Sequence, residues 1–202
     1  MTRGHDRAKR ALDLAIAVPL FVLTLPIQAV TALAIRIRLG SPVLFRQTRP
    51  GLHGEPFTMV KFRTMLNIDR ERGLTDEADR STRLGVWLRA SSLDELPNLW
   101  NVIQGDMSLV GPRPLRMKYL GRYSTEQARR LEVRPGVTGL AQVSGRNAIS
   151  WEDKFRLDVL YVDHHTFAGD LKIILRTLAS VAERDNTTMP EFFGTNNQEQ
   201  NP

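Results

Sequence analysis

Residues 14–35 read LAIAVPLFVLTLPIQAVTALAI, 22 consecutive positions without a charged side chain. A helix needs about 20 apolar residues to cross the ~30 Å hydrocarbon core of a bilayer, so the run is long enough to span one. It exceeds the ~7–15-residue apolar region of a signal peptide, and Ile35-Arg36-Ile37-Arg38 offers no small-residue cleavage site. Both flanks are basic: Arg3, Arg7, Lys9 and Arg10 precede the run, and Arg36, Arg38, Arg46 and Arg49 follow it. Basic flanks stay on the cytoplasmic side of a membrane, which puts both ends on one side and predicts a segment that enters and turns back. Pro19 and Pro26 each remove an intrahelical hydrogen bond and clash with the preceding turn. Pro26, near the middle, is the predicted bend of a re-entrant helix, with Thr24 close enough to serve the carbonyls it frees. The alternative is a buried core helix of a soluble protein, which would ordinarily keep a polar face over such a length.

Outward from this run the sequence is globular. A chain of 202 residues, 42% hydrophobic and 25% charged, suits one domain with a small appendage and excludes disorder. A mean hydropathy of −0.27 excludes a multi-span membrane protein. With no cysteine there is no thiol ligand, redox motif or cysteine nucleophile. The 28 basic and 22 acidic residues leave +6, a surface suited to anionic lipid, nucleic acid or a phosphorylated substrate.

Three segments follow: 1–38, a basic flank and re-entrant helix; 39–184, a globular domain; and 185–202, a polar tail expected to be mobile. The predicted fold class is α/β, a small mixed domain with several helices and few short strands. Residues 43–45 and 57–60 read as strands about the turn-rich 49–54. Residues 67–83 are a surface helix or loop, and 91–104 a helix with Leu93, Leu96, Leu99, Trp100 and Ile103 on one face. A helix over 124–131 starts at Ser124 or Thr125, and 140–143 reads as a short strand. Phe167, Leu171, Ile174, Leu175, Leu178 and Val181 keep helical spacing and either pack in the core or lie on a membrane surface.

The stretch richest in chemistry is Ser91-Ser92-Leu93-Asp94-Glu95-Leu96-Pro97. Adjacent carboxylates at a helix start have a purely structural reading, because Ser92 with Glu95 three residues on makes a capping box. Against it stand the cationic residues on glycine- and proline-rich turns: Lys61, Arg63, Arg89, Arg113, Arg134 and Arg146. Guanidinium groups on rigid turns suit phosphate oxygens, which makes Arg113 and Arg146, assisted by Lys61 and Arg89, the candidate substrate-binding set. No Walker-type loop or GxGxxG fingerprint occurs, and the four histidines lack zinc spacing. Mg²⁺, held by carboxylates and phosphates, is the metal these residues allow. Nucleic acid is excluded as a partner, since aromatic and basic residues do not interleave.

Several strings occur in order: Lys9-Arg10-Ala11-Leu12-Asp13, Gln47-Thr48-Arg49-Pro50-Gly51, Lys61-Phe62-Arg63-Thr64-Met65 and Ser92-Leu93-Asp94-Glu95-Leu96-Pro97. Gly105-Asp106-Met107-Ser108-Leu109-Val110-Gly111-Pro112-Arg113-Pro114, Arg134-Pro135-Gly136-Val137-Thr138-Gly139 and Gly145-Arg146-Asn147 complete them. Over residues 7–184 the chain resembles the small monotopic phosphoglycosyl transferases, bacterial enzymes that begin glycan assembly on a polyprenol-phosphate carrier. The resemblance implies Asp94 as nucleophile and Mg²⁺ ligand, Glu95 as its essential neighbour, and a re-entrant helix broken at Pro26. It implies a UDP-sugar donor, a polyprenol (undecaprenyl) phosphate acceptor, release of UMP, and a catalytic domain on the cytoplasmic face of the bacterial inner membrane. The product would start O-antigen, capsule, exopolysaccharide or glycoprotein assembly. Leu25 and Leu140 depart from the serine and tryptophan frequent at those positions. Homo-oligomerisation and the sugar are left open. The rival reading is a non-catalytic, membrane-anchored basic module that binds anionic lipid, with the acidic pair serving only as a cap.

Overall fold

The computed structural model describes residues 3–145 and 148–182. Arg146, in the candidate set, and the polar tail after Asp185 lie outside the described residues. Helix α1 (Arg3–Arg38) leads into an antiparallel hairpin of β1 (Leu44–Pro50) and β2 (Pro56–Phe62), in which Phe45 faces Lys61 and Arg49 faces Phe57. Then come α2 (Glu77–Arg80), α3 (Arg83–Ala90), a 3₁₀ turn at Leu93–Glu95, and α4 (Asn98–Gln104). Strand β3 (Ser108–Val110) pairs in parallel with β4 (Gly136–Thr138) across a connection that holds α5 (Thr125–Ala128). Helices α6 (Leu140–Val143), α7 (Trp151–His164) and α8 (Phe167–Ala182) complete a mixed α/β fold with few short strands.

Two hydrophobic clusters form the core, and α1 enters both. Ala17 is buried among Leu99, Val102, Met107 and Leu109, while Ile35 and Leu39 are buried with Phe62 and Leu88. Asp13, Ala17, Gln28, Thr31, Ile35 and Leu39 are buried along one face, whereas Val22, Leu23, Val30, Leu33 and Ile37 on the other are exposed. The apolar run thus has two working faces, one packed on the domain and one bare. Its polar flanks are tied to the domain as well. Asp13 accepts hydrogen bonds from the Ser108 hydroxyl and the Leu109 N–H, both at 3.0 Å.

Lys9 pairs with Asp170 at 2.6 Å, and Arg10 donates to the carbonyls of Val102 and Ile103 at the end of α4. These two cations, grouped by sequence with a headgroup-facing flank, are spent on internal contacts. Arg63 is likewise structural: buried, it donates to the carbonyls of Leu39, Gly40 and Ser41 just past the end of α1.

α1 runs as one helical element through Pro19 and Pro26. The Thr24 hydroxyl lies 2.7 Å from the Leu20 carbonyl and 3.2 Å from that of Phe21, and receives a bond from the Gln28 amide. It therefore serves the turn before Pro26 and not the Val22 carbonyl, which is the acceptor that the missing Pro26 donor leaves free.

Two sequence expectations are corrected. Residues 91–104 form no single helix: α3 ends at Ala90, Ser92 adopts a left-handed φ of 56°, and α4 starts only after Pro97. Proline lacks the donor that a continuing helix would need. Residues 140–143 form α6 and not a strand. The extended piece lies just upstream at Gly136–Thr138, because β3 supplies partners only that far before Gly111 and Pro112 leave the ladder. The helix over 167–182 is present, with Phe167, Leu171, Leu175 and Leu178 exposed and Ile173 buried, so most of the stripe is surface.

Candidate active site

The acidic pair owes its position to backbone conformation. The left-handed Ser92 swings the chain out of α3, so Asp94 and Glu95 sit on a tight turn in place of the first turn of a long helix. The Ser92 side chain makes no capping bond, which removes the capping-box reading. Glu95 turns the other way. Its Oε1 accepts from Lys61 Nζ at 2.5 Å and from Arg113 Nη2 at 2.9 Å.

Each of those cations is placed by a different device. Lys61 lies on β2, whose free edge is closed by the buried Asn101 side chain: Asn101 accepts from the Val60 N–H at 3.1 Å and donates to the Thr58 carbonyl at 2.8 Å. One amide, four residues past Pro97, thereby imitates a third strand and fixes β2 against α4. Arg113 leaves a loop that packs backbone to backbone. A Cβ on Gly136 would lie 2.1 Å from the Gly111 nitrogen, so no larger residue fits. Arg130, buried and paired with Asp158 at 2.6 Å, donates to the Arg113 carbonyl at 2.7 Å.

The two carboxylates diverge in charge state. Burial pushes Glu95 up, but Arg113 and Lys61 outweigh it and hold its carboxyl down at about 2. Burial, and then the charge on Glu95, push Asp94 up to about 6 against the pull of Lys61 and Arg113. Among the described residues no other side chain donates to the Asp94 carboxylate. Oε1 of Glu95 thus carries both cations, while among the described residues no side chain donates to the neighbouring carboxylate of Asp94. No group of three or more acidic or histidine side chains among the described residues forms a metal cage. With no donor side chain on it among the described residues, Asp94 has an oxygen to offer a cation.

Of the six cations singled out from sequence, the structure brings Lys61 and Arg113 together at Glu95. Arg89 lies apart, donating to the hydroxyls of Thr64 (3.3 Å) and Ser81 (3.0 Å). Arg134 donates to the Gly105 carbonyl behind α4. Sequence reasoning missed Asn101, Arg130 and Asp158. None carried a local signal, because the partners named above lie 17 to 43 residues away.

A stability test follows from the raised Asp94. A carboxyl lifted from 3.8 to about 6 costs stability above its folded value and ceases to do so as pH falls below its unfolded one. Asp94→Asn is therefore expected to stabilise the metal-free protein by roughly 3 kcal/mol at pH 7. That corresponds to about 6–12 °C in Tm for a chain of this size, and the gain should shrink steadily toward pH 4. Thermal melts in EDTA across that range check it. A Tm that falls on substitution at pH 7 contradicts the assigned burial and charge.

Residues 4–184 match the family model described as bacterial sugar transferase. An uncharacterized sugar transferase, EpsL, of Bacillus subtilis is 54% identical over 195 residues, covering 93% of this chain and 96% of that protein. A UDP-glucose:undecaprenyl-phosphate glucose-1-phosphate transferase of Caulobacter vibrioides is 45% identical, covering 90% of this chain and 72% of that protein. An undecaprenyl-phosphate galactose phosphotransferase of Salmonella typhimurium is 34% identical, covering 91% of this chain but 42% of that longer protein. Matched over nearly its whole length, the chain belongs to the bacterial sugar transferase family.

Proposed function

We propose that this protein transfers a sugar-1-phosphate from a UDP-sugar to polyprenol phosphate through a phosphosugar covalently held on Asp94. The observation that carries the reading is the division of labour in the acidic pair: Glu95 is clamped by two cations and Asp94 is left free. The relatives named as undecaprenyl-phosphate sugar transferases support the acceptor class.

In the first step an Asp94 oxygen attacks the sugar-bearing phosphorus. The new O–P bond forms as the bond to the bridging oxygen breaks, and UMP departs with that oxygen. A carboxylate raised only to about 6 is ionised at neutral pH, so no general base is needed. In the second step a phosphate oxygen of the lipid attacks the same phosphorus, and Asp94 is released as carboxylate. Arg113 neutralises phosphate charge while remaining anchored by Glu95. Mg²⁺, bound through Asp94 and substrate oxygens, would supply further charge neutralisation at the phosphates. Glu95 keeps Lys61 and Arg113 in place before substrate arrives, so their ordering is not a cost of binding.

The lipid acceptor requires the site to stand at headgroup depth. One helix, Arg7–Arg38 with hydropathy 2.0, is long and apolar enough to cross a membrane. Its two ends pack on the same globular body, Ala17 in one cluster and Leu39 in the other. From Asp13 to Leu39 a helix covers about 39 Å, more than the ~30 Å hydrocarbon core. A perpendicular span would therefore draw the domain into the bilayer. A segment that enters and returns on the cytoplasmic face, with Val22, Leu23, Val30 and Leu33 toward lipid, avoids that cost.

The chemistry is tested by UMP release in a panel of UDP-sugars with undecaprenyl phosphate. Wild-type protein is expected to release UMP with Mg²⁺ and none in EDTA, with Asp94→Asn below a hundredth of wild type. An Asp94→Asn variant that kept a tenth of the rate would rule out the covalent role. Topology is tested with Arg7→Cys and Ser41→Cys in this cysteine-free chain, each labelled by an impermeant maleimide in sealed vesicles. Both are expected to react from the cytoplasmic side only, and reaction from opposite sides would establish a span.

A further inference from the structure

Side chains alternate along the hairpin, so Arg49 on β1 shares a face with Met59 and Lys61 on β2, the face that meets Glu95 and Arg113. Arg49 stands opposite Phe57, four residues along β2 from Lys61, or about 13 Å at strand rise. Its guanidinium reaches the Arg113 loop: Nη1 donates to the Pro114 carbonyl at 3.3 Å, and Nη2 to Gln47 Oε1 at 2.6 Å. Both acceptors are neutral. Its Nε is buried without a hydrogen-bond partner, and among the described residues no carboxylate pairs with it. Burial, then the neighbouring Arg113 and Arg116, hold Arg49 down at about 10. Arg116, 47% exposed, has only a loose pairing with Glu77 at 3.7 Å. Three guanidinium groups are thus crowded at one end of the site, and the acid that anchors Arg113 is already shared with Lys61. A fold keeps such a cluster only at a cost, unless an anion offsets it.

We propose that Arg49, with Arg113 and Arg116, forms a phosphate subsite beside the acidic pair that holds the phosphate of the departing nucleoside monophosphate. The assignment to a nucleotide rests on the transfer reaction proposed above, while the phosphate subsite rests on the cluster itself. Its place fits that role. Lys61 and Glu95 mark the attacking end, Arg113 lies between, and Arg49 stands on the far side, where charge grows on a leaving phosphate.

The test is calorimetric titration of the full chain in nanodiscs with UMP, uridine and inorganic pyrophosphate. Arg49→Gln and Arg116→Gln are compared with wild type, and Arg46→Gln, on the opposite face of β1, is the charge-matched control. Arg49→Gln is expected to weaken UMP at least tenfold and Arg116→Gln at least threefold, with Arg46→Gln and the weak uridine binding unchanged. If Arg49→Gln fails to fold, the exposed Arg116→Gln carries the test alone. UMP affinity unchanged in both variants overturns the proposal while leaving the transferase reading intact. So does a loss confined to the KM of undecaprenyl phosphate, which would assign the charge to the acceptor. Wild-type protein that binds pyrophosphate in an Arg49-dependent way, but not UMP, would fault the nucleotide reading and uphold the subsite. Binding of neither anion overturns both.

Discussion

The carboxylate of Glu95 joins Lys61 of the hairpin to Arg113 of the loop after β3, and the rest of the site depends on that junction. A half-buried charge flanked by two opposite charges is costly to break, because removing one member leaves its partners uncompensated where water reaches them only in part. The surrounding architecture serves to bring these three groups together. Asn101 locks β2 to α4, and the Arg130–Asp158 pair holds the Arg113 backbone. The close approach of Gly111 to Gly136 sets the course of the loop. Asp94 is the beneficiary: it stands near Lys61 and Arg113 while both bond to its neighbour. Function here costs stability at one residue and regains it at the next.

The apolar helix is bound up with the same arrangement. A span that merely tethers a domain needs no contact with it, yet α1 contributes Ala17, Ile35 and Leu39 to the core and closes the end of α4 through Arg10. α4 in turn carries Asn101. The chain of contact from the exposed apolar side chains of α1 to the carboxylates is therefore short: α1, α4, β2, Lys61, Glu95. Anchor and site form one body, so the depth at which the helix sits fixes the depth of the acidic pair. Phe167, Leu171, Leu175 and Leu178 form a second exposed apolar stripe, on α8.

What the sequence disclosed and what it hid divide along the range of the interactions. The long helix, the hairpin and the Ser124 cap were legible because apolar runs, turn residues and capping residues act within a few positions. The acidic pair was legible as a motif, but its local reading as a capping box was wrong. That box needs an extended N-cap conformation at Ser92, and the residue is left-handed. The misplaced strand at 140–143 shows the same limit, since strand pairing is decided by a partner some 28 positions away. Among the arginines, sequence could not separate those that bind carbonyls at helix ends, as Arg10, Arg63 and Arg134 do, from those that face the site. The helix ends they serve are built elsewhere in the chain.

In the proposed reaction Asp94, and not Glu95, becomes bonded to phosphorus, and this bond is open to direct detection. It is tested most directly by intact mass and fragment mass spectrometry of the protein after incubation with Mg²⁺ and its UDP-sugar, with the lipid acceptor left out. A single adduct of one sugar-phosphate is expected on the peptide containing Asp94, localised to that residue and discharged when undecaprenyl phosphate is added. An adduct on Glu95, or turnover at the full rate with no adduct at any time, would contradict it.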